Sequence, residues 1–161
     1  MAKMQPFWWF LPPPPIHIDL PVNLFTLGQI GDWTTHGANP WLDKNDGDTS
    51  WIGWFGGSLT LIRTWSFAHT TLTSFSKIEI HIKARQTMEL AESDLIYLTA
   101  TDVPLTYIFG IGITKPDWFD FYHDITDIIN TIAKINSVGM VIYNGSGCCA
   151  HITYAFLRVY L

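Results

Sequence analysis

The chain has 161 residues, enough for one core and too few for two full domains. Its 9 Lys and Arg against 14 Asp and Glu give a formal charge of −5, so no basic stripe is available to displace counterions from a phosphate backbone and no nucleic-acid partner is expected. A 48% hydrophobic share, 15% aromatics and only 14% charged residues supply a large core and leave apolar surface to meet a partner.

Residues 1–22 read as an extended arm. Pro12, Pro13, Pro14 and Pro15 remove backbone donors and favour a polyproline conformation, with Phe7, Trp8, Trp9, Phe10 and Leu11 near the tip. That apolar patch is far shorter than the roughly 20 residues a membrane span needs. It also lacks a small-residue cleavage site, so neither a membrane span nor a cleaved leader is expected. Further along, Ile16, Ile18 and Leu20 alternate with His17 and Asp19, a pattern able to add a strand to an exposed sheet edge.

Residues 23–161 read as one domain. Gly28 to Gly57 is rich in Gly, Asp, Asn and Trp, with an Asn45-Asp46-Gly47 turn, and predicts short strands such as Ser50–Trp54. Apolar residues then alternate with polar ones from Leu59 to Phe67. The alternation is cleanest at Ile78, Ile80, Ile82 and Ala84 against Lys77, Glu79, His81, Lys83 and Arg85, a half-buried antiparallel strand. Leu95–Ala100, Thr106–Ile113, Val138–Tyr143 and Ala150–Tyr160 complete about eight strands. Between them Ile125, Ile128, Ile129 and Ile132 follow helical spacing, with Asp124 placed to cap and Asp127 to add charge at the helix start, predicting one short helix. Many short strands punctuated by turns indicate an all-β, antiparallel sandwich or barrel. Cys148 and Cys149 are adjacent, too close for an ordinary disulfide between them.

Three stretches carry a resemblance. Asp32 to Asp43 running into Asp46-Gly47-Asp48-Thr49-Ser50-Trp51-Ile52, then Asp124-Ile125-Thr126-Asp127, then the closing Ile152 to Tyr160 resemble single jelly-roll β-sandwich modules. Such modules occur in structural proteins of phages and archaeal viruses and in carbohydrate-binding domains. The resemblance spans residues 28 to 161 and implies an antiparallel jelly-roll fold, while function must be argued from a site.

No catalytic constellation stands out. His17, His36, His69, His81, His123 and His151 lack metal-hydrolase spacing, Asp117 and Asp120 read as a solvated turn, and Gly145-Ser146-Gly147 reads as a hairpin loop. Asp43, Asn45, Asp46 and Asp48 crowd oxygen ligands as calcium prefers, although the same residues also make a plain turn. Trp41, Trp51, Trp54 and Trp118 are candidate platforms for sugar rings, and equally candidates for burial. The primary expectation is a non-enzymatic, self-assembling subunit of a virion, surface fibre or extracellular filament, its arm adding a strand to a neighbouring copy. The alternative is a carbohydrate-binding module, such as one carried on a receptor-binding virion protein, with cell-surface glycans as partners.

Overall fold

A computed structural model of the chain describes residues 15–26, 33–36, 51–54, 62–86, 94–111, 117–143 and 150–161. The described residues form ten strands and one helical turn: β1 (His17–Thr26), β2 (Trp33–His36), β3 (Trp51–Trp54), β4 (Ile62–Phe67), β5 (Lys77–Gln86), β6 (Asp94–Ala100), β7 (Val103–Ile111), β8 (Phe119–Asp124), α1 (Ile132–Ile135), β9 (Gly139–Tyr143) and β10 (Ala150–Tyr160). Every pairing is antiparallel. The expected jelly-roll sandwich is therefore present, with more strands than the sequence suggested.

Two sheets face each other. In the first, β10 lies at the centre, paired along one edge with β5 and along the other with β1 and β3; β8 extends it beyond β5, and β2 beyond β3. The second runs β1, β4, β9, β6, β7. β1 belongs to both: residues 17–21 pair with β10, and from Val22 onward, across a register shift, the strand pairs with β4.

The alternation in β5 decides what lies inside. Ile78, Ile80, Ile82 and Ala84 pair with Val159, Leu157, Ala155 and Ile152 of β10, and all eight are buried. Full burial of one such isoleucine stabilises the fold by roughly 1.5–3 kcal/mol. A bulge at Thr153 holds the pattern in phase along β10, keeping Ile152 inward and Tyr154 outward on either side of one extra residue. From the second sheet, Ile96, Leu98, Met140 and Ile142 close the core.

Two expectations are corrected here. The arm does not extend to residue 22: Ile18 and Leu20 lie in β1, with Leu20 buried, and the alternation that could have joined a neighbour's sheet joins the chain's own. Ile16, exposed just before β1, accepts a hydrogen bond from the Leu161 amide through its carbonyl, and Phe7, Trp8, Trp9, Phe10 and Leu11 lie outside the described residues.

The second correction concerns the helix. Ile125, Ile128 and Ile129 make one turn, in which the Ile129 amide donates to the Ile125 carbonyl, but the regular helix is α1, with Thr131 rather than Asp124 at its N-cap. A run of isoleucine and threonine has low helix propensity, and the three isoleucines serve as core residues without needing the helix to continue. Asp124 still acts as a local cap, its carboxylate accepting from the Thr126 amide and hydroxyl. Opposite this segment, Asn136 clips the 68–76 connection through two bonds to the Thr70 backbone. Among the described residues no helix is long and apolar enough to cross a membrane.

Candidate functional site

The residues that alternate out of the core build the outer face of the first sheet. Cross-strand register arranges them in rows: His17, Tyr160 and Lys77; Asp19, Arg158, Glu79 and Asp124; Pro21, Phe156, His81 and Tyr122; Tyr154, Lys83 and Asp120; and, one position beyond β8, His151, Arg85 and Trp118. Aromatic and charged side chains thus share one surface across four strands.

At one end the polar groups satisfy one another. Glu79, only 7% exposed, accepts hydrogen bonds from Lys77 Nζ at 2.6 Å, Tyr160 Oη at 2.8 Å and His81 Nε2 at 2.9 Å. Burial alone would raise the Glu79 carboxyl, but the bonds from Lys77, Tyr160 and His81 together outweigh it and hold the group down to about 2. Because an ionised carboxylate only accepts, the His81 contact requires the proton on Nε2. Tyr160 is pushed up, by burial and then by its bond to Glu79. Beside this cluster Arg158 grips Asp19 with two parallel bonds of 2.8 Å, which raise the arginine's affinity for its proton.

The middle of the face is a stack of rings. The His81 ring lies 4.7 Å from Phe156 and 5.7 Å from Tyr122, nearly parallel to both, and Tyr154 leans on Phe156 at 4.9 Å. The stack ends at Tyr122 on β8, where 68% of the residue is exposed. Its neighbour on β5 locks it from the side while its outward surface stays open. Four positions back along the same face stands Trp118, half-buried, with the Arg85 guanidinium 4.6 Å from its ring centre. Between them project Asp120 from β8 and, opposite it, Lys83 from β5.

Of the expected sugar platforms, Trp118 lies on this face. Trp51 and Trp54 lie in β3, in register with His36 and Trp33 of β2. Trp41 and the calcium candidates Asp43, Asn45, Asp46 and Asp48 lie outside the described residues. Among the described residues no group of three or more His, Cys, Asp or Glu is placed to hold a metal ion. Asp120, read from sequence as part of a turn, is in a strand, while Asp117 sits in the bend before it. The sequence reading missed Tyr122, His81 and Lys83 as a set. The even-numbered positions 118, 120 and 122 and the odd-numbered polar residues of β5 carried the signal.

No family model matches the sequence, and no curated protein sequence matches it. Solved structures do match. One is the glycan-locus protein SGBP-B of Bacteroides uniformis, from a xyloglucan utilization locus, at 9% identity, a TM-score of 0.55, and coverage of 88% of this chain and 49% of that one. Another is a family 29 carbohydrate-binding module from Piromyces equi, at 7% identity and a TM-score of 0.50, covering 88% and 90%. A third is the C-terminal family 6 module of a marine laminarinase from Zobellia galactanivorans, at 6% identity and a TM-score of 0.50, covering 91% and 100%. The fold is that of carbohydrate-binding modules. At such identities the likeness concerns the fold, and these structures lend no support to the virion half of the resemblance.

Proposed function

We propose that the chain is a non-catalytic carbohydrate-binding module that holds a glycan along β8 on the outer face of the first sheet. The observation that carries this reading is Tyr122, an exposed ring on the outer face of the sheet, stacked on one side against His81. A pyranose offers a flat patch of C–H groups to such a ring and hydroxyls around its rim. Asp120 supplies an acceptor and Lys83 a donor on the same strip, so both halves of the sugar's chemistry are met. Trp118 and Tyr122, four strand positions apart, are separated by about 13 Å, longer than one sugar ring, which favours a polymer over a monosaccharide. Ligands of this kind are met outside the cell or at its surface, and that is the setting the reading implies.

Affinity electrophoresis and tryptophan fluorescence with xyloglucan, laminarin, xylan and mannan test it. Retardation by at least one polymer, weakened tenfold or more by Tyr122→Ala, is the expected result. No response to any polysaccharide, these or acidic ones, would end the proposal.

A further inference from the structure

The two arginines of the outer face are held in different ways. Arg158 has its Nε and one amino nitrogen engaged by Asp19. Arg85 donates through Nε to His151 Nδ1 at 3.1 Å and lays its guanidinium on the Trp118 ring. Arginine cannot accept a hydrogen bond, so His151 Nδ1 must present its lone pair; this contact fixes the guanidinium plane without neutralising its charge. Among the described residues Arg85 enters no ion pair, and its bond to His151 engages Nε and not the two amino nitrogens.

We propose that this corner is a subsite for a sugar carboxylate, and hence that the glycan held along β8 is a uronate-bearing polysaccharide. The proposal deepens the glycan-binding reading and rests on it. A planar guanidinium clamped on two sides retains a fork that matches a carboxylate through paired N–H···O bonds. Clamping also lowers the entropy lost on binding. Arg85 and Lys83 stand on the same face of β5, opposite Asp120 of β8 and near Asp117 in the bend before it, and a sugar carboxylate would meet Arg85 at the Trp118 end of that row. Arg85 is opposite Trp118, and Tyr122 is about 13 Å further along the strand, so one sugar of a chain can stack on Tyr122 while another places its carboxylate at Arg85.

The test is calorimetric titration of the full chain with polygalacturonate, alginate and glucuronoxylan, each beside the same polymer with its carboxyls reduced to alcohols. At least one acidic polymer is expected to bind tenfold or more tightly than its reduced counterpart. Arg85→Gln is expected to bring that ratio within twofold of one without moving the thermal midpoint, and Arg158→Gln to leave the ratio standing. Equal binding of acidic and reduced polymers, or a ratio that survives Arg85→Gln, overturns the carboxylate subsite alone. Dextran sulfate binding as tightly as the best uronate would reassign the corner to anions in general and overturn the uronate claim. Absence of binding to every polymer, acidic or neutral, overturns this proposal and the glycan reading together.

Discussion

The two ends of the outer face have similar composition and opposite organisation. At the Glu79 end, one lysine, one histidine and one tyrosine converge on a carboxylate, and Asp19 and Arg158 neutralise each other. At the β8 end, Tyr122 is exposed and Arg85 is aligned by a ring and an imidazole rather than by a carboxylate. Polar groups whose partners lie within the protein contribute to stability; polar groups held in place with donors to spare are prepared for something else. The difference cannot be read from residue types, because each end has its arginine, lysine, carboxylate and ring.

Variants can separate the two ends. The largest effect is expected from Glu79→Gln, which removes the charge that three donors share. A loss of about 2 kcal/mol is expected, or a thermal midpoint lower by roughly 5 °C in a chain of this size. Polysaccharide affinity should change less than twofold, because the glutamine carbonyl can still accept from His81. A fall in affinity matching the fall in stability would show that the two ends are not separable.

Acid should act through the same residue. The Glu79 carboxyl is held down at about 2, against 4.5 for the free group. Its contribution is therefore complete above about pH 4.5 and is lost as pH falls from there toward 2, up to about 3 kcal/mol in all. Urea denaturation midpoints across that window should fall more steeply for the parent chain than for Glu79→Gln, and parallel curves would contradict the assignment.

Tyr122→Ala should do the reverse. Tenfold or greater weakening of glycan binding, about 1.4 kcal/mol, is expected with little change in unfolding, since the ring is mostly exposed. The smallest effect is expected at Asp19→Asn. The Asp19 and Arg158 side chains are each about a third exposed, and solvent screening should hold the loss below about 1 kcal/mol, with glycan binding intact.

The sequence made some of this legible and hid the rest for identifiable reasons. The strand Lys77–Arg85 could be read in full, because charge on one face and isoleucine on the other leave no second interpretation, and it supplies Lys83 and Arg85 to the site. β8 could not. Phe119, Phe121 and Tyr122 place rings on both faces of an edge strand, so the period-two contrast disappears, and Phe121 turns inward to pack on Phe109 of the other sheet. β1 was partly legible: its alternation was visible, but not which sheet would take it up. The isoleucines from Ile125 to Ile132 satisfied a helical template that burial satisfies equally well, and Ile125 and Ile129 are buried in a turn. Tryptophan count pointed to ring platforms, whereas the exposed ring of the candidate site is a tyrosine, set apart by its neighbours rather than its type.

The position of β10 at the centre of the first sheet also bears on how that sheet assembles. β1, β3 and β5 all pair with β10, and the pairing most distant in sequence joins His17 to Tyr160. Contacts so distant in sequence are slow to form, and this sheet has no centre until β10 docks. Until then β5 carries its isoleucine ladder without the strand that pairs with it. Assembly of the first sheet therefore waits on β10.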